Sequence, residues 1–150
     1  MPHSYGKIKD FTELDFESPS TKEVVYILGY LWADGCLSKT TNRLSLEIKE
    51  EDAIVIKELM MSIGKWNLYR RHRSPSKPTL NFYINNKEFA DILRGYGFED
   101  KTTTSSALKM LLKMPQELQY YWYRGYFDGD GYILANKNVR WISIYILWLI

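Results

Sequence analysis

A chain of 150 residues, 45% hydrophobic and 25% charged, has the apolar content for a packed core and the size of one domain or two small ones, which excludes a disordered chain. A single cysteine, Cys36, and two histidines, His3 and His72, exclude a disulfide framework and a Cys/His zinc site. Lys and Arg number 20 against 18 Asp and Glu, a net charge of +2. That total neither requires nor excludes nucleic acid, so the distribution of charge has to decide.

The opening stretch, Met1 to Lys9, is polar and carries no signal or transit pattern. Ser20 and Glu23 have capping-box spacing ahead of Val24, Val25, Ile27, Leu28, Leu31 and Trp32, which predicts a helix over 21–33. A hairpin over 36–39 and 43–49 follows, its second strand alternating polar and apolar residues around Leu44, Leu46 and Ile48. Ile54, Ile56, Leu59, Met60 and Ile63 have helical spacing over 52–63, stopped by Gly64. A second hairpin is predicted over 66–72 and 79–84, then a short helix over 86–96. After a Thr/Ser-rich link over 102–106, Pro115, a good first helical residue, leads into a helix expected over 116–129. A last hairpin is expected over 131–136 and 139–146. Val139 to Ile150 is the most apolar stretch, but it is too short for a membrane span and contains Arg140. The expectation is a soluble intracellular protein with no membrane partner.

The charge is uneven. Between Leu59 and Lys87 there is no acidic residue, while Lys65, Arg70, Arg71, Arg73, Lys77 and Lys87 all fall there. Gathered on one surface, such a sector attracts phosphates.

The element order of the first half begins again in the second. Tyr26 to Gly35 and Trp122 to Gly131 share Gly, Tyr, Asp and Gly at the same offsets, and both precede a hairpin. Glycine inside a helix costs about 1 kcal/mol relative to alanine, so Gly29 and Gly125 require a reason. Gly29 with Ala33, and Gly125 with Gly129, are small residues at i and i+4 on one helical face. Two such faces can approach nearly backbone to backbone. Parallel packing would bring Asp34 and Asp130 out together at the helix C-termini. There the helix dipoles and mutual repulsion both oppose anions. A divalent cation between the carboxylates reverses both penalties, and oxygen-only ligation suits Mg²⁺ or Mn²⁺. A hard metal beside basic hairpins suits phosphodiester hydrolysis, which then needs no Ser or Cys nucleophile.

Leu28-Gly29-Tyr30-Leu31-Trp32-Ala33-Asp34-Gly35 and Arg124-Gly125-Tyr126-Phe127-Asp128-Gly129-Asp130-Gly131 resemble the paired signature motifs of the LAGLIDADG homing endonucleases. The resemblance implies an α+β fold in which an αββαββα unit occurs twice. The signature helices form the unit interface, and the sheets make a saddle over the DNA major groove. It implies that Asp34 and Asp130 bind Mg²⁺ for double-strand cleavage with short 3′ overhangs, and that Lys49, with Ile48 beside it, occupies the position of a strand-end active-site residue. The chain then divides into an extension over 1–20, a first unit over 21–110 and an incomplete second unit (helix plus hairpin) over 111–150. Two departures from the family pattern stand out. Only 19 residues follow Gly131, so the second unit is expected to lack its middle helix, second hairpin and last helix. Aligning Arg43 with Arg140 also puts Ile146 opposite Lys49, which removes the second basic group. The expectation is a truncated relative, or a chain completed by a homodimer partner or another polypeptide.

The DNA-facing candidates are Lys39, Arg43, Glu47 and Lys49 with Ser45 on the first hairpin, Arg70, Arg71, Arg73, Lys77, Asn81 and Tyr83 on the second, and Lys137 and Arg140 on the last. Strand alternation forbids Arg70 and Arg71 from facing the same side. Other motif readings fail on spacing. Asp128-Gly129-Asp130 opens like a calcium loop but is followed by Tyr132, Ile133 and Val139 at ligand or glycine positions. Gly125, Gly129 and Gly131 lack dinucleotide-binding spacing. Nothing in the sequence brings Cys36 and His72 together as a thiol and base. Two functions are carried forward: a metal-dependent, site-specific DNA endonuclease, and a non-catalytic DNA- or RNA-binding relative such as a decayed nuclease, maturase or repressor.

Overall fold

The computed structural model describes residues 12–62, 65–100, 106–130, 133–135 and 142–144. The elements run in the predicted order. Helix α1 (Lys22–Asp34) leads into β1 (Cys36–Leu37) and β2 (Arg43–Lys49), then α2 (Glu50–Met61). Strands β3 (Asn67–Arg71) and β4 (Thr79–Asn85) follow, then α3 (Lys87–Gly95), a 3₁₀ turn (Phe98–Asp100) and α4 (Ser106–Leu111). A further 3₁₀ turn (Gln116–Leu118) runs into α5 (Gln119–Asp130), and β5 (Ile133–Ala135) pairs antiparallel with β6 (Ile142–Ile144). The rest of the last hairpin, the 102–105 part of the link, and Ile63 and Gly64 lie outside the described residues. Among the described residues no helix is long and apolar enough to cross a membrane.

The fold is α+β, with a four-stranded antiparallel sheet of order β1-β2-β4-β3. Period-2 alternation gives the sheet two different faces. Leu44, Leu46, Ile48, Phe82 and Ile84 are buried in one core with Val24, Val25, Ile27, Leu28, Leu31 and Trp32 of α1 and Phe89, Ala90 and Leu93 of α3. The opposite face carries Arg43, Ser45, Glu47 and Lys49 of β2 in register with Asn85, Tyr83, Asn81 and Thr79 of β4. Asn67, Tyr69 and Arg71 of β3 lie alongside on that face.

Several element ends differ from the sequence reading. Thr21, not Ser20, caps α1, its hydroxyl accepting from the Val24 amide at 3.4 Å. With the cap one residue later, Glu23 is only the second helical residue, one short of the capping-box position. Helix α2 starts at Glu50, directly after β2. Glu50, Glu51 and Asp52 form its first turn, where acidic side chains offset the unpaired amides and the helix dipole. Pro115 is the N-cap of the 3₁₀ turn rather than the first residue of α5. Strand β1 ends at Leu37, so the hairpin turn begins at Ser38.

Within residues 12–20, Phe16 packs into the core while Thr12, Leu14, Asp15, Glu17, Ser18 and Ser20 are exposed. Phe16 is fully buried with its ring 4.7 Å from that of Phe89. The Tyr96 hydroxyl reaches the Phe16 and Glu17 carbonyls at 2.6 and 2.7 Å. Replacing Phe16 with Ala is expected to lower unfolding stability by about 3–5 kcal/mol. Denaturant titration measures this, and a change under 1 kcal/mol would show that the segment is peripheral.

Candidate interhelical acidic site and nucleic-acid face

The seam between α1 and α5 is built on glycine. A Cβ on Gly29 would collide with the backbone carbonyl of Trp122, and one on Gly125 with that of Tyr26. A Cβ on Gly129 would come within 2.8 Å of the Ala33 Cβ. Tyr26 and Trp122 are separated by the same 96 positions as Gly29 and Gly125. The two contacts are therefore one contact repeated about a pseudo-two-fold axis between parallel helices. Gly29, Ala33, Gly125 and Gly129 occupy the interface foreseen from their spacing.

The meeting of Ala33 with Gly129 brings the C-terminal ends of the two helices together. Asp34 ends α1 as an exposed residue, and Asp130 is the last residue of α5, its side chain outside the described residues. Further carboxylates converge here. The Tyr26 hydroxyl donates to Asp128 Oδ2 at 2.8 Å, joining the two helices a second time. Burial first, then that hydrogen bond, raises the Tyr26 phenol well above its ordinary pKa. Tyr30, one turn below Asp34, is pushed up to about 12 by burial and then by the charges of Asp34, Asp52 and Asp128. Among the described residues no group of three or more His, Cys, Asp or Glu side chains is disposed to hold a metal ion.

Lys49 ends the strand that pairs with β1. Cys36, two residues after Asp34, pairs with Ser45 of the antiparallel strand β2, and Lys49 lies four residues beyond Ser45 toward α2. It is exposed and occupies the N-cap of α2.

The remaining candidates separate by face. Arg43 lies over the Tyr83 ring, 4.1 Å from its centroid, and the Tyr83 and Tyr69 rings meet edge-on at 5.8 Å. Arg71 donates to the Tyr69 hydroxyl at 3.0 Å and lies 3.7 Å from Glu47, which accepts from the Thr79 hydroxyl at 2.8 Å. Asn81 is 8% exposed and donates to Thr79 Oγ1, so its amide is already engaged. Arg70 points to the helix side of the sheet, opposite Arg71, and pairs with Glu50 at 2.9 Å. Lys77 pairs with Glu51 at 3.1 Å. Arg73 is exposed in the β3–β4 connection, and Lys39 is exposed on the first hairpin turn. Lys137 and Arg140 lie outside the described residues.

Sequence reasoning missed Arg94 of α3. Its guanidinium donates to the carbonyls of Ser38 and Thr41 and to Asn42 Oδ1 at 3.2, 2.8 and 3.0 Å. Glu99 and Asp91 pair with it from its own side. Arg94 thus clasps the turn that carries Lys39. Its one sequence signal is a basic residue in the last turn of a helix, a placement that the helix dipole alone explains.

Two outcomes follow from the seam. Gly29→Ala and Gly125→Ala should each destabilise by about 3 kcal/mol through backbone collision. Gly95→Ala on α3, where an added Cβ meets nothing within 4 Å, should be neutral or stabilising by up to about 1 kcal/mol. Denaturant midpoints for the three variants measure the contrast, and equal effects would contradict close helix contact. Stability should also fall as pH rises above 10, because the unfolded chain loses the Tyr26 and Tyr30 protons there while the folded chain holds them to higher pH, to about 12 for Tyr30. Tyr26→Phe should shrink that alkaline loss in pH-dependent denaturant melts; an unchanged slope would contradict the raised phenol.

No protein-family model matches the chain. It is 25% identical over 149 residues to a probable translation initiation factor IF-2 of Methanocaldococcus jannaschii, an alignment covering 91% of this chain and 11% of that protein. It is 24% identical over 157 residues to the ribonucleoside-diphosphate reductase NrdEB subunit alpha of Bacillus subtilis, and equally to that of Bacillus phage SPbeta, covering 94% of this chain and 13% of each. The chain therefore spans little more than a tenth of the length of the curated relatives it matches.

Proposed function

We propose that the chain is a site-specific double-stranded DNA endonuclease of the LAGLIDADG homing type, with an αββαββα first unit and α5 opening a second. The observation that carries this reading is the pair of helices in backbone contact at Gly29 and Gly125, with Asp34 and Asp130 at the joined ends. A structural seam has no need of acids at that end, where the dipoles disfavour them.

Asp34 and Asp130 would hold Mg²⁺ or Mn²⁺. When bound, the ion would polarise a water for attack on phosphorus and stabilise the departing oxygen. Lys49, at the C-terminal end of β2, would offset the charge that builds on the phosphoryl oxygens. The open face of the sheet sets Arg43, Lys49 and Arg71 against the single acid Glu47, with Lys39 and Arg73 exposed on its turns. That surplus suits the phosphate backbone.

The second reading, a binder that does not cut, draws support from Ile146 standing where a second Lys49 would be. A divalent-ion-dependent cleavage assay on a duplex library separates the two. Asp34→Asn should abolish cutting and leave binding within about threefold. Binding by the parent chain without any cutting would favour the second reading. Lys39→Ala should lower the salt slope of log affinity by about one, measured by titration across salt concentrations; salt-independent binding would remove the basic face from the account.

A further inference from the structure

We infer that Arg43 reads a guanine edge in the major groove, whereas the other strand arginines serve structure or phosphate. This rests on the duplex-DNA reading above and sharpens it to a single base contact.

The argument comes from how each guanidinium is engaged. Arg70 is held by Glu50 on the helix side of the sheet, and Arg71 is held by Glu47 and the Tyr69 hydroxyl. Arg43 is on the open face and, among the described residues, pairs with no carboxylate and donates no side-chain hydrogen bond. It is not loose. Its guanidinium lies on the Tyr83 ring at 4.1 Å, and that ring is buttressed by Tyr69. An aromatic face holds a guanidinium by cation–π attraction and stacking without using its N–H groups. The backbone beneath is fixed as well. The Arg43 carbonyl accepts from the Ser38 amide at 2.9 Å, and the Arg43 amide donates to Thr41 Oγ1 at 3.3 Å. Arg94 ties the same turn to α3 through the Ser38 and Thr41 carbonyls.

A planar fork of donors, pre-positioned and unspent, matches the O6 and N7 acceptors of guanine. Immobilising it before binding reduces the ordering cost paid on association. A contact to phosphate alone gains nothing from the Tyr83 platform, since a lysine on a flexible stem serves as well.

Binding selection from a randomised duplex library tests the assignment on the full parent chain, Arg43→Lys, Arg43→Gln and Tyr83→Leu, with thermal melts to confirm folding. The parent should enrich a motif in which one G·C column loses about ten- to a hundredfold preference in both Arg43 variants while the other columns persist. Tyr83→Leu should blur the same column to a smaller degree. If the parent enriches a motif but the Arg43 variants weaken every column evenly or none, Arg43 is a phosphate or solvent residue and the inference falls. If the parent enriches no motif, sequence-specific duplex recognition itself fails, and the assignment fails with it.

Discussion

Two helices can meet backbone to backbone only where neither carries a side chain, and Gly29 and Gly125 create that condition at symmetric points. Each glycine faces a peptide carbonyl of the other helix, Trp122 for Gly29 and Tyr26 for Gly125. Everything proposed for the acidic end depends on this approach. With alanine at either position the helices would separate, and Asp34 would no longer share an end with the last residue of α5. The Tyr26–Asp128 hydrogen bond strengthens the junction without replacing it, because it joins side-chain tips rather than the helices themselves.

The sheet divides its labour along the same physical lines. Alternation sends Leu44, Leu46 and Ile48 into the core and leaves Arg43, Glu47 and Lys49 outside. The acidic first turn of α2 then neutralises Arg70 and Lys77 through Glu50 and Glu51. Exposed ion pairs of this sort contribute little stability, yet they change the surface that a polyanion would meet. The basic sector seen between Leu59 and Lys87 is thereby thinned, and the free positive charge shifts toward the first hairpin, at Lys39, Arg43 and Lys49.

The sequence made the seam legible because glycine is costly in a helix and two copies at one spacing need a common cause. The sheet faces were legible because a period of two survives folding unchanged. The element ends were less so. Thr21 and Ser20 are both good caps, and local pattern does not choose between them. Helix α2 follows β2 with no turn residue to mark the boundary, so Glu50 and Glu51 fall before the helix expected over 52–63. The Arg94 clasp and the Glu50 and Glu51 pairings join residues 20 to 56 positions apart. Such contacts depend on how the hairpins fold back on the helices, which no local spacing records. Convergence of Asp52 on Tyr30, beside Asp34, is of the same kind.

Anomalous diffraction from crystals soaked in Mn²⁺ tests the central claim most directly. The account predicts one strong peak between the carboxylates of Asp34 and Asp130, lost in crystals of Asp34→Asn. Manganese bound only elsewhere, or none at the helix ends with both carboxylates ordered, would contradict it.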